Sequence, residues 1–157
     1  MSSLPDVVGV QAPRLRVAGP SGSREDGEDA SALVAGYGLT LDDWQQDVLG
    51  DWLAADGRGV WVHDRCGLSV PRQNGKNAIL EAREVYGMAV IGERFLHTAH
   101  EVKTARKAFL RLLYFFDNRR QFPDLAALVS DVRRTNGQEA VVLANGGSGE
   151  FVARSKG

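Results

Sequence analysis

At 157 residues, with 43% hydrophobic and 25% charged residues, the chain has the composition of an ordinary globular protein with room for one core. No apolar run approaches the ~20 residues of a bilayer crossing, the N-terminus lacks the basic-then-apolar order of a signal peptide, and the single Cys66 allows no internal disulfide, so the composition reads as cytosolic. The net charge of −1 conceals an asymmetry: Glu25 to Asp56 carries carboxylates and no Lys or Arg, whereas bases cluster at Lys103, Arg106, Lys107, Arg111, Arg119 and Arg120. A basic stripe of this kind either faces nucleic acid phosphates or is a solvated helix surface, and charge alone does not decide between them.

Residues 1–29 mix Pro, Gly, Ser and charges without apolar periodicity and read as a flexible arm, with Gly19 to Ser23 as linker. From Thr40, a candidate helix cap, the residues Leu41, Trp44, Val48, Leu49, Trp52 and Leu53 recur at helical spacing, and Asp56-Gly57 ends that helix. Trp44 and Trp52 lie about two turns apart, which suits core packing. Val60 to Val70 alternates and is rich in β-branched residues, predicting one or two short strands, the last over Gly67-Leu68-Ser69-Val70, stopped by Pro71.

Asn74 to Ile91 reads as a helix, Arg94 to Ala99 as a buried strand, and Val102 to Phe116 as a second long helix. This order predicts an α/β fold with a βαβ unit and a parallel sheet. Pro123 opens a short helix covering Leu125, Leu128 and Val129. Strands over Asp131 to Thr135 and Glu139 to Ala144 flank Asn136-Gly137, a hairpin turn pair, and a third strand over Glu150 to Arg154 follows Asn145-Gly146-Gly147. Nothing after this meander closes the sheet, so the fold is expected to be incomplete at the C-terminus.

The segment Val70-Pro71-Arg72-Gln73-Asn74-Gly75-Lys76-Asn77 lies between a predicted strand and a predicted helix, the setting of a phosphate loop. A Gly-Lys pair means little in a chain with 18 glycines, and the flanks supply the specificity. Gly75 lets backbone amides approach phosphates, the helix N-terminus directs partial positive charge at them, Lys76 can reach the outer oxygens and Arg72 adds a second cation. Two positions depart from the common pattern: Val70 replaces the first glycine, and Asn77 replaces the Ser or Thr that ligates Mg²⁺, leaving an amide oxygen that acts directly or through a water. The bland alternative is a strand-to-helix turn in which Gly75 serves geometry and Lys76 is a solvated cation. His63, Cys66, His97 and His100 lack the spacing of a closed zinc site, and His97 and His100 would point to opposite faces of a strand.

Leu41-Asp42-Asp43-Trp44-Gln45, then Ser69 to Asn77, then Leu96-His97-Thr98-Ala99-His100-Glu101 resemble, in order and spacing, the large terminase subunit of tailed phages, particularly those of actinobacteria. Thr135-Asn136-Gly137 and Phe151 to Gly157 resemble the stretch before that family's second ATPase motif, so the likeness runs from about Leu33 to the end. The resemblance implies a P-loop NTPase-type core over residues 30–157, the N-terminal part of an ATPase domain without its Walker B segment or nuclease domain. It implies a viral DNA-packaging motor that couples ATP hydrolysis to dsDNA translocation in the host cytoplasm, with ATP and Mg²⁺ as cofactors. Portal protein, the small terminase subunit and further copies in a ring are the implied partners.

By the same resemblance Gln45 reads the adenine edge, Pro71, Arg72, Gln73, Asn74, Gly75, Lys76 and Asn77 hold the phosphates, and Arg72 with Lys76 acts on the γ-phosphate. Asn77 stands at the Mg²⁺ position, and Thr98, Ala99 and His100 match a motif that couples ATP to DNA movement. Hydrolysis needs an acidic residue after an apolar strand, and no Asp-Glu pair occurs in the chain, so little ATPase activity is expected of this chain by itself. Two other classes stay open: a nucleotide- or DNA-binding module without catalysis, and a helicase-like translocase sharing the same loop.

Overall fold

The computed structural model of the chain describes residues 9–135 and 137–154. Asn136 of the expected hairpin turn, residues 1–8 of the expected arm and residues 155–157 lie outside that set.

Helix α1 (Glu25–Gly36) begins inside the stretch read as an arm. Its first turn carries Glu25, Asp26 and Glu28, which suit the positive end of the helix. Gly27 brings it against α2 (Asp43–Trp52): a Cβ on Gly27 would stand 2.5 Å from the Gly50 Cα. Gly27 shares its buried face with Ala30 and Val34, a short stripe at helical spacing whose first members are small. Helix α2 is capped at Asp42 and not at Thr40, because the Gln45 side chain turns back to accept the Asp42 N–H at 2.7 Å. Trp44 and Trp52 pack, half-buried, against the core.

The strands expected between Val60 and Val70 do not form. Trp61 bridges Ala55, which in turn bridges Ser23, and Gly67 to Val70 pairs with nothing among the described residues. Alternation predicts a strand only where a neighbouring strand takes up its N–H and C=O groups, and no strand of the sheet lies beside this segment. The expected βαβ unit across the phosphate loop is therefore absent, and the chain reaches the loop in irregular backbone.

Helix α3 (Lys76–Tyr86) continues as a π-helical turn, Gly87–Ile91, before Gly92 reverses the chain at a φ of +76°. Then follow β1 (Arg94–Ala99), α4 (Val102–Phe116), α5 (Pro123–Ala127), β2 (Val129–Arg133), β3 (Glu139–Leu143) and β4 (Ser148–Ala153). Strand β1 and helix α4 have the bounds that the sequence predicts. The fold is mixed α/β, with a sheet in the order β1-β4-β3-β2. Only β1 and β4 run parallel, from Arg94 opposite Ser148 to Ala99 opposite Ala153, with α4 in the connection between them. Strands β2, β3 and β4 are joined by short turns, which can only link antiparallel neighbours, so the parallel sheet is confined to one pair.

The helices cover one face of this sheet. Phe151 is fully buried at its centre, stacked on His97 at 5.2 Å and edge-on to Phe95 and Phe109. Burying a ring of that size contributes about 1.5–3 kcal/mol. The opposite face, with Leu96 60% exposed and Arg133 reaching Glu150 at 3.6 Å, is open among the described residues.

The turn from α3 into β1 is closed by Glu93. Its carboxylate takes a two-pronged contact from Arg83 and accepts the Trp61 indole N–H at 3.2 Å, while the Arg83 guanidinium lies 5.5 Å from the Trp61 ring centroid. Burial pushes the Glu93 carboxyl up, but Arg83 and Trp61 outweigh it and hold the group below the usual carboxylate range. A depressed folded pKa contributes stability that is complete above the unfolded pKa and is lost as pH falls through the folded one. Glu93→Gln is accordingly expected to unfold at lower denaturant than wild type at pH 7, with the gap closing as the pH is lowered through the acid range; a gap that stays constant with pH would contradict this.

Candidate functional site

The loop before α3 is shaped by two residues in left-handed backbone. Gln73 has a φ of 62°, a conformation that disfavours side chains, and Gly75, the residue that caps α3, has φ 71° and ψ 10°. Gly75 is required for a second reason. The buried amide of Gln45 donates from Nε2 to the Gly75 carbonyl at 2.9 Å, and a Cβ at Gly75 would stand 2.7 Å from that nitrogen. One side chain of α2 thus caps its own helix through Oε1 and fastens the loop of α3 through Nε2.

The outward side of the loop is free of internal partners. The amides of Asn74, Gly75, Lys76 and Asn77 donate to no acceptor among the described residues, and the first turn of α3 carries no acidic side chain. Unpaired amides at a helix N-terminus, beside the left-handed Gln73 and Gly75, are free donors of the kind that suits an anion. The loop opens into a groove of about 420 Å³ lined by Gln73 to Ala78, by Glu81 one turn further along α3, and by Arg111 of α4. Arg111, on α4, donates to the Glu81 carboxylate at 3.1 Å. Burial pushes the Glu81 carboxyl up, and Arg111 opposes that shift.

Of the residues singled out from the sequence, Gln73, Asn74, Gly75, Lys76 and Asn77 line this groove together. Pro71 and Arg72 are exposed on the approach to it, outside its lining. Gln45 lies behind the loop with both ends of its amide engaged, and not on an open surface where a base would meet it. Thr98 is on the open sheet face, Ala99 is buried, and His100 is exposed beyond the end of β1. His97 turns the other way, with Nδ1 2.6 Å from the carboxylate of Glu84 on α3. Burial pushes the Glu84 carboxyl up, opposed by its bond to His97. Among the described residues no group of three or more His, Cys, Asp or Glu could hold a metal ion, and no helix is long and apolar enough to cross a membrane.

Sequence reasoning missed Glu81 and the place of Arg111. Glu81 follows Asn77 by one helical turn, so its position on the groove side was readable from spacing. Arg111 belongs to an exposed basic stripe in the sequence, and only the packing of α4 beside α3 sets it apart from Lys103, Arg106 and Lys107. Comparison of the chain with protein-family models, with curated proteins and with solved structures found no match.

Gly75→Ala is expected to lower stability by about 1–2 kcal/mol from the left-handed backbone alone, with a further loss from the collision with Gln45. In thermal or denaturant unfolding, the double variant Gly75→Ala/Gln45→Ala should lose less than the sum of the two single variants. Strict additivity would show that Gln45 and Gly75 are not coupled.

Proposed function

We propose that this chain is the nucleotide-binding part of a viral DNA-packaging motor, the ATPase of a large terminase subunit, and that it holds the phosphates of ATP on the loop from Gln73 to Asn77. The observation that carries the reading is the run of unpaired amides from Asn74 to Asn77 at the head of α3, beside the exposed Lys76, in a loop fastened from behind by Gln45. A solvated surface turn needs neither a left-handed Gln73 nor a buried side chain dedicated to the Gly75 carbonyl.

The donor set fits a polyphosphate. Backbone N–H groups take the bridging and outer oxygens, Lys76 supplies a point charge that moves with the terminal phosphates, and Arg72 stands close enough in sequence to join them. Asn77 would offer its amide oxygen to a Mg²⁺ ion bound with the phosphates, and that ion would supply neutralisation of charge on the phosphoryl oxygens. Lys76 and Arg72 act by electrostatic stabilisation and orientation; neither removes a proton from water. The chain contains no Asp-Glu pair after an apolar strand, which favours binding without turnover for this polypeptide.

The packaging role rests on the order and spacing of the terminase-like segments, with dsDNA, portal protein, the small subunit and ring-mates as proposed partners. The exposed Lys103, Arg106 and Lys107 supply positive charge that suits DNA. The P-loop NTPase type of the α/β fold belongs to the same proposal. A helicase-like translocase differs in its partners and not in this loop.

Isothermal titration with ATP and Mg²⁺ is expected to show binding that Lys76→Ala weakens by about tenfold or more, the scale of a lost charge-assisted contact. Phosphate release should stay near background for both proteins. Equal affinity of wild type and Lys76→Ala would overturn the nucleotide reading, and robust turnover would overturn the expectation of binding alone.

A further inference from the structure

The lining of the groove beyond the loop holds an ion pair that the phosphate reading does not use. Glu81 lies inside, with its side chain 16% exposed, and Arg111 reaches it from α4 with 53% of its own side chain exposed at the mouth. The pair is formed through one guanidinium nitrogen, at 3.1 Å. The remaining N–H donors of Arg111 are not given to Glu81, and Arg111 lines the same groove as Lys76 and Asn77.

We propose that Glu81 tethers Arg111 beside an empty phosphate groove and that a bound polyphosphate draws Arg111 away, making it a further cation of the site. The proposal rests on the nucleotide reading and adds to it a regulatory contact between α3 and α4. The balance follows from charge. Glu81 places a negative group in a space meant for anions, and so opposes a phosphate directly while also restraining the cation that would welcome it. A triphosphate carries more charge and more acceptor oxygens than one carboxylate, and it competes for a guanidinium held by a single contact at the surface. Burial pushes the Glu81 carboxyl up and Arg111 opposes that shift, so the carboxylate is less favoured once Arg111 leaves. Movement of Arg111 also reports groove occupancy to α4, the helix that carries the exposed Lys103, Arg106 and Lys107.

The test compares the affinities of wild type, Glu81→Gln, Arg111→Gln, the double variant and Lys76→Ala for ATP without metal and for inorganic tripolyphosphate. Glu81→Gln keeps the shape and removes the charge, and it is expected to bind both ligands several-fold more tightly. Arg111→Gln should bind about tenfold more weakly, the size of one charge-assisted contact. In the double variant the gain from Glu81→Gln should shrink, because part of that gain works through Arg111. A purely structural ion pair predicts no tightening from either change, so tightening by Glu81→Gln separates the tether from a packing role. If Lys76→Ala loses binding while Glu81→Gln and Arg111→Gln match wild type, the tether is overturned and the phosphate loop stands. If wild type and Glu81→Gln both fail to bind either anion, the tether and the nucleotide reading fall together.

Discussion

The hydrogen bond from Gln45 to the Gly75 carbonyl is the constraint around which the candidate site is organised. It couples the first turn of α2 to the first turn of α3, and it does so with a side chain that is 4% exposed and already engaged at its other end by Asp42. A buried amide with both ends satisfied has one stable orientation. Gly75 is thereby held with its carbonyl toward the interior, and the following amides are left on the outside. Any residue with a Cβ at position 75 would meet both an unfavourable backbone and the Gln45 nitrogen.

The rest of the molecule can be read as support for that arrangement. Helix α1 braces α2 through the close approach of Gly27 to Gly50, and it reaches α3 through the bond from the Tyr86 hydroxyl to Asp26 at 2.7 Å. Helix α3 is pinned to β1 by Glu84 and His97 and at its far end by Arg83 and Glu93, while the surface contact of Arg111 with Glu81 links it to α4. Each contact joins α3 to a different neighbour. The head of the helix is thus fixed relative to the parallel pair β1 and β4 without a strand leading into the loop.

Much of this was legible in the sequence where the signal is local and periodic. Strand β1 and helix α4 fall where apolar spacing puts them, and Pro123 opens α5 as its fixed φ suggests. Strands β3 and β4 follow from their turn residues Asn145 to Gly147, whereas β2 begins at Val129, which the sequence pattern assigns to the helix after Pro123. Local signals fail where pairing or packing decides. Gly67 to Val70 has a strand's alternation but no strand beside it, and the buried stripe of α1 opens on Gly27 and Ala30, residues too small to mark a helix before Val34. In the site, the loop residues from Gln73 to Asn77 were readable because they are contiguous, and Gln45 was found by its resemblance to a terminase segment, although the structure gives it a bond to the loop. Glu81 and Arg111 come from two helices, and their meeting is a property of the fold.

The central claim is that the backbone between Asn74 and Asn77 is a phosphate cradle, and amide-resolved NMR titration addresses it most directly. Addition of ATP, and equally of tripolyphosphate, should shift the amide resonances of Asn74, Gly75, Lys76 and Asn77 first and most, while adenosine leaves them in place. Shifts that cluster instead on the basic face of α4 around Lys103 and Lys107, or that are absent from the loop at saturating ligand, would contradict the account.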